Sequence, residues 1–262
     1  MTADSARIRF LEERSLNVWP GLGYLFLDGW IVQYSAGYSR RGNSAHPLFE
    51  ANLGGERTSA LRHKIQRVED FYRRMGVLPR FKMTSAALPV DLQPTLETMG
   101  YAEETGALVM TRPAPEDAPD AREDFIYHHE PTEGWIEALL ATGHVRQEYA
   151  AAYRGVTARI AFPAAYGTVL ADDQVVSVGV AVAEDDQAGI FSVATIEENR
   201  GRGFARAVMD GLTRWAADQG ARTLWLQVRT DNERAIRFYE KLGFREEYRY
   251  WYMVKKNNEV NA

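Results

Sequence analysis

Between residues 204 and 216 the apolar positions fall on one helical face: Phe204, Val208, Leu212 and the pair Trp215/Ala216 recur every three to four residues. Gly220 closes the stripe, so the pattern predicts a helix over 203–219. Two runs in front of it, VVSVGVAV (175–182) and GIFSVAT (189–195), predict strands, and the polar AEDDQAG between them predicts a hairpin loop. Behind it, TLWLQV (223–228) predicts another strand. TDNE (230–233) has the spacing of a capping box for a helix that runs to Leu242, with Gly243 as its C-terminal cap, and YRYWYMV (248–254) predicts a last strand. Strands that alternate with helices after an early hairpin predict an α/β fold, a mixed α+β sheet with helices packed on it.

The first half carries a weaker copy of the same order. Leu61, Ile65, Val68, Tyr72 and Met75 form a helical stripe that Gly76 ends; RFKMTS (80–85) predicts a strand, LQPTLETMG (92–100) a short helix and GALVM (106–110) a strand. Laid over each other at an offset of 143 residues, LETMGYAEE (96–104) falls on YEKLGFREE (239–247) and FKM (81–83) on LWL (224–226). The register predicts a tandem duplication. TRPAPEDAPD (111–120) holds three prolines and three acidic residues in ten positions, which leaves no helix or strand pattern. The division expected from this seam is a first domain at 1–112, a linker at 113–121, a second domain at 122–256 and a flexible tail at 257–262.

Charge and composition narrow the chemistry. With 31 basic and 36 acidic side chains the formal net charge is −5, which argues against a nucleic-acid partner and confines any anion site to a local feature. No apolar run approaches the roughly 18 residues of a membrane span, so no membrane partner is expected. The opening MTADSARIRFLEERS has no apolar core of a secretory signal, and the absence of cysteine fits a cytoplasmic protein. No cysteine also means no disulfide, thiolate metal site or cysteine nucleophile. The five histidines never show His-x-x-x-His spacing, so no metal is expected.

The candidate chemistry lies at the start of the strongest helix, in RGRGFA (200–205). First-turn N–H groups lack intrahelical partners and sit at the positive end of the helix dipole, so this position suits a phosphate. Glycines admit close backbone approach, and Arg200, Arg202 and Arg206 add charge-assisted donors. The same residues equally describe a Gly-rich loop with solvated arginines ahead of a surface helix. A dinucleotide fingerprint fails because Arg206 stands at its third glycine, and no Gly-Lys-Ser/Thr is present.

Arg200-x-x-Gly203-x-Ala205 resembles the Gln/Arg-x-x-Gly-x-Gly/Ala signature of the GNAT N-acetyltransferases. Asn232, Ala235, Tyr239, Gly243 and Phe244, in N-x-x-A-x-x-x-Y-x-x-x-G-F, resemble a second signature of that superfamily, in the right order, and the likeness runs over roughly 175–254. LNVWPGLGYLFLDGWIVQYSAGYSRRGNSAHPL (16–48) looks like the front of two-domain members, which pair a degenerate N-terminal copy with an active C-terminal one. The resemblance implies tandem GNAT folds, each a central mixed sheet flanked by helices, with acetyl-coenzyme A as acetyl donor. It assigns the pyrophosphate to Arg200, Gly201, Arg202, Gly203, Phe204 and Ala205. The pantetheine arm goes to Val193, Ala194 and Thr195 at a splayed strand end, and to Asn232 on the other side. The resemblance implies that Tyr239 borders the donor as general acid for the leaving thiolate; its own pattern alone favours a core aromatic on the inward face of the helix. At the same offset Gly201, Gly203 and Tyr239 correspond to Thr58, Ala60 and Leu96, which implies a single active site, in the second half.

The amine must attack as a neutral group although its pKa is about 10. No residue stands out as base: Glu184, Glu197 and His144 qualify by type, and a backbone carbonyl or water relay serves equally. A backbone N–H near Ala194 and Thr195 is placed to donate to the oxyanion. For the acceptor, GYSRRGNSAHP (37–47) offers Arg40, Arg41 and Asn43 to a carboxylate, and the aromatic tail offers Tyr250, or Tyr248 or Tyr252. A solvated loop and a half-buried strand explain the same residues. Three readings stay open: transfer to a small primary amine, amino-acid-like or antibiotic-like; transfer to a protein N-terminus or lysine; and a coenzyme A-binding or structural module without catalysis.

Overall fold

Asp4 opens the first helix by accepting from the Arg7 N–H at 2.7 Å, which satisfies one orphan first-turn donor. The computed structural model describes residues 4–50 and 57–255; the expected tail at 257–262 lies outside the described residues. Helix α1 (Ser5–Val18) leads to the hairpin of β1 (Gly23–Leu27) and β2 (Trp30–Tyr34), a 3-10 turn at Arg41–Asn43 and the short β3 (Ala45–His46). Then follow α2 (Arg57–Arg74), β4 (Arg80–Met83), α3 (Leu92–Thr98) and β5 (Tyr101–Pro113). The second half runs through β6 (Phe125–His128), α4 (Glu133–Ala141), α5 (Ala150–Thr157), β7 (Ala164–Ala171), β8 (Gln174–Glu184) and β9 (Gln187–Thr195). It ends with α6 (Phe204–Asp218), β10 (Thr223–Arg229), α7 (Glu233–Lys241) and β11 (Arg245–Lys255). The series α2-β4-α3-β5 has the element order of α6-β10-α7-β11, and β4 and β10 begin 143 residues apart.

The eleven strands among the described residues form one mixed sheet in the order β1-β2-β3-β4-β11-β5-β10-β9-β8-β7-β6. The middle of this order departs from chain order. β5 lies against β10, and β11 lies against β4, so each series sends its last strand to the other half's sheet. The two exchanged strands pair antiparallel with each other along nearly their whole length. The cores follow: Ile8, Leu11 and Trp19 of the first half pack in one cluster with Trp135, Tyr153, Phe191 and Trp225 of the second.

Two local details differ from the sequence expectation. β5 continues into the proline-rich seam as far as Pro113, which is tolerated because the proline sits at the strand end, where Ala114 resumes by donating to Arg222 O at 2.8 Å. The cap of α7 is Asn232, two residues past the start of the apparent capping box. Thr230 N–H is still tied to Gly106 O at 3.3 Å, and the chain turns only at Asn232, whose Oδ1 accepts from Ala235 N at 3.1 Å. α6 lies on the opposite face of the sheet from α1 and α4. It approaches closely at Gly179, where a Cβ would stand 2.7 Å from Val208 Cγ1. Among the described residues no helix is long and apolar enough to cross a membrane.

Candidate functional site

β9 and β10 are parallel and paired only from Gln187–Thr223 to Ile190–Leu226. Beyond that point β9 stays with β8 and β10 stays with β5, so the two strands part into a fork. A bulge sharpens it: Val178 faces Ala194 and Val180 faces Phe191, which sets Gly179 opposite both Ser192 and Val193. Ser192 takes a φ of 53°, a conformation held by the 2.9 Å hydrogen bond between its Oγ and the Tyr153 hydroxyl. From Phe191 to Thr195 the β10-facing edge of β9 has no strand partner, which leaves backbone donors and acceptors for another molecule.

The fork opens toward the start of α6. Gly201 and Gly203 have φ of 80° and 85°, values that side-chain-bearing residues avoid, and a Cβ on either would meet nothing within 4 Å. The glycines therefore answer to backbone conformation and leave the space before the helix clear. Gly203 caps α6 without a side chain, and the first helix bond runs from Ala207 N–H to Gly203 O at 3.1 Å, so the preceding N–H groups are free for an anion.

A cleft of about 570 Å³ joins these features. It is lined by Val193, Ala194, Thr195, Arg200, Gly201, Gly203, Phe204, Ala205, Asn232 and Tyr239, ten residues that the sequence assigned to the donor. Arg202 is not in the lining: its guanidinium donates to Asn199 Oδ1 at 2.8 Å and lies over the Phe204 ring at 5.0 Å. Arg206 is in it, with Nε on the Asp210 carboxylate at 2.9 Å. Asn232 caps α7 with its oxygen, which leaves its amide N–H groups for the cleft. Thr142, Gly143 and His144 at the end of α4 also line it, as do Asn199, Arg234, Ala235 and Phe238. Ala235 and Phe238 share a helical face with Tyr239, so spacing was a signal for them; nothing in the local sequence marks the α4 end.

Tyr239 is partly buried between Phe238 and Phe244, at 5.2 and 6.0 Å between ring centroids. Burial pushes its hydroxyl up to about 12, so it is protonated at neutral pH. Of the three base candidates only His144 lines the cleft. Partial desolvation there pulls its imidazole below the usual range, which favours the neutral form that accepts a proton. Glu184 lies at the far hairpin end of β8, bonded to Arg14 and Asn17, and Glu197 is exposed with Arg200 at 3.4 Å. Among the described residues no cluster of acidic and histidine side chains is arranged to hold a metal.

Of the expected acceptor residues, only Arg41 reaches the opposite face of the fork. Arg41 donates to Gln227 Oε1 at 2.9 Å and lies over Phe191 at 5.2 Å and Trp19 at 5.9 Å. Tyr250 is buried behind it and donates to the same Gln227 oxygen at 3.0 Å. Asn43 is inside the loop: its Oδ1 accepts from Ser35 and Gly37 N–H, and its Nδ2 donates to Ser39 O. It shapes the loop and presents nothing to the fork. Arg40 is paired with Glu104 at 3.1 Å.

Residues 5–253 match the family described as "Probable histone acetyltransferase Rv0428c C-terminal". YobR of Bacillus subtilis (strain 168), named an uncharacterized N-acetyltransferase, is 24% identical over 253 residues, covering 95% of this chain and 99% of its own length. The GCN5-related N-acetyltransferase from Kribbella flavida superposes with a TM-score of 0.68 at 14% identity, over 99% of this chain and 98% of that one. A tandem GNAT protein from the clavulanic acid biosynthesis pathway gives 0.61 at 12% identity, over 82% and 76%. The structural likenesses speak for the fold, and the family match spans almost the whole chain: it belongs to the Rv0428c C-terminal acetyltransferase family and is an N-acetyltransferase of the GNAT type.

Proposed function

We propose that the chain transfers the acetyl group of acetyl-coenzyme A to a primary amine of a small molecule by direct attack, with one site, at the β9–β10 fork. The observation that carries this is the single cleft that joins the unpaired edge of β9, the glycine-cleared start of α6 and the Tyr239 hydroxyl. Bound there, coenzyme A supplies an activated thioester. The α6 N–H groups, Arg200 and Arg206 suit its pyrophosphate, and the β9 edge and the Asn232 amide suit its pantetheine arm. Backbone N–H groups along the unpaired edge of β9 would favour developing negative charge on the acetyl oxygen. As the amine nitrogen bonds to the acetyl carbon and the carbon–sulfur bond breaks, Tyr239 gives its proton to the sulfur; His144 is the titratable side chain in the cleft wall suited to take one from the amine.

The first half is read as a degenerate copy, 1–112, joined by 113–121 to the working copy, 122–256. Leu96, the counterpart of Tyr239, is wholly buried in the first-half core, where it offers no hydroxyl. Transfer to a protein is the second reading, and membership of a family described as probable histone acetyltransferases favours it. Thermal-shift titration tests the first step: acetyl-coenzyme A must raise the melting temperature. Thioester consumption with small amines, set against lysine peptides, then separates the two acceptors. Turnover of peptides alone would overturn the small-molecule reading.

A further inference from the structure

We infer that the first half supplies the acceptor subsite, and that Arg41 there binds the carboxylate of a small amine, so the acceptor is amino-acid-like. This rests on acetyl transfer at the β9–β10 fork. Arg41 sits across that fork. Gln227 and Phe191 are the first residues past the last paired positions of β10 and β9, and Arg41 touches both, by a hydrogen bond at 2.9 Å and a ring contact at 5.2 Å. It lies on the face of the sheet that packs α1 and α4, opposite α6, so donor and acceptor enter from opposite sides.

The loop that delivers Arg41 is rigid. Its carbonyl accepts from Ser44 Oγ at 2.9 Å. Gly42 has no room for a side chain, since a Cβ would stand 2.8 Å from Ser35 Oγ, and Asn43 ties the loop from within. The charge itself is unmatched. Arg14 and Arg80, largely buried, each face a carboxylate. Among the described residues none pairs with Arg41, whose side-chain partner is a neutral amide, so guanidinium donors remain available. The Trp19 and Phe191 rings lie against the guanidinium, Tyr153 packs on Trp19 and Tyr38 on Tyr153, edge to face at 5.5 Å, and the low polarity of these surroundings strengthens a charge pair. A planar guanidinium, of which Nη1 alone is bonded to a side chain among the described residues, matches a carboxylate. A phosphate would call for a second cation, and Arg40 is already paired with Glu104. A cationic lysine-rich tail would be repelled.

The test compares glycine, alanine, β-alanine and 4-aminobutyrate with their matched amides. One assay is acetyl transfer; the other is calorimetric titration of the N-acetylated products and product amides with coenzyme A present. Acids should exceed amides about 10- to 100-fold in kcat/KM or affinity, the range for one charge-assisted pair. Arg41→Ala should erase that preference, Arg41→Lys should restore part of it, and acetyl-coenzyme A affinity should stay as in the wild type. Equal use of acids and amides, no binding of any acid, or an undiminished preference in Arg41→Ala overturns the subsite. Loss of acetyl-coenzyme A binding in the wild type would instead overturn the acetyl-transfer reading, and the titration would still report on Arg41.

Discussion

Lys82 Nζ donates to both carboxylate oxygens of Glu12 at 2.7 Å, and neither side chain reaches solvent. The pair joins α1 to β4, and the Tyr248 hydroxyl brings in β11 by donating to Glu12 Oε1 at 2.7 Å. Lys82 also lies 4.0 Å from the centre of the Tyr250 ring, whose hydroxyl holds Gln227 and so Arg41. The ion pair thus braces the exchanged strand and, through it, the fork. Removing one partner strands the other charge, so Lys82→Met should cost about 3–5 kcal/mol in urea unfolding. Adding Glu12→Gln should recover part of the loss, because no buried carboxylate is then left bare. A single variant within about 1 kcal/mol of wild type would show that the pair is not structural.

The same pair sets an acid limit. Burial pushes the Glu12 carboxyl up, but Lys82, and after it His46, override this and hold the group at about 2. An unfolded Glu12 titrates near 4.5, so its contribution is complete above 4.5 and is lost as pH falls toward 2. His46, 3.7 Å from Glu12 and outside hydrogen-bond range, is kept neutral by burial. Its lowered pKa means that the unfolded chain takes that proton first, which adds a loss beginning near 6.5. Urea midpoints should therefore fall in two stages on acidification, and Glu12→Gln should flatten the lower stage while keeping or deepening the upper one, because Glu12 is one of the groups that raise His46.

Gly203→Asp should abolish acetyl-coenzyme A binding with the fold largely intact. Its Cβ would enter open space, so packing is not disturbed, and the φ of 85° costs a side chain about 1–2 kcal/mol. The carboxylate would occupy the mouth of α6 and repel a pyrophosphate. Gly203→Ala carries the same backbone cost without the charge. Loss of the acetyl-coenzyme A thermal shift in Asp but its retention in Ala assigns the effect to anion repulsion; equal loss in both assigns it to backbone geometry.

The cleft that we propose for the donor was legible because its signals are local. Positive-φ glycines, a helix start and a tyrosine on one helical face leave marks at fixed spacing. Arg202 was the exception: glycine spacing says nothing about which way a neighbouring arginine turns, and Asn199 and the Phe204 ring decide it. The proposed acceptor side was legible only as a loop bearing Arg41. Its meaning depends on Gln227 and Phe191, which are 186 and 150 residues away along the chain. The strand exchange was not legible at all. The hydrophobic pattern of β5 and β11 fits either neighbour, and the contacts that accompany the exchange, Glu12 of α1 with Lys82 of β4 and Tyr248 of β11, join residues far apart along the chain.

Tyr239→Phe should lower kcat by about 100-fold or more, as expected for a lost general acid, while the acetyl-coenzyme A KM changes little. The aromatic ring stays, so packing against Phe238 and Phe244 is retained and a structural role alone would leave kcat intact. The pH profile supplies a second check. A hydroxyl raised to about 12 keeps its proton through the whole working range. Its loss cannot then produce an alkaline fall in kcat below roughly 11, and the rate should climb with pH as the amine or its base is freed, then level off. Should wild type show a fall between pH 9 and 10 that Tyr239→Phe lacks, Tyr239 would titrate in its ordinary range, and burial would not set its acidity. A profile of unchanged shape in the variant, at a rate lowered throughout, is the outcome that fits a proton donor never short of its proton.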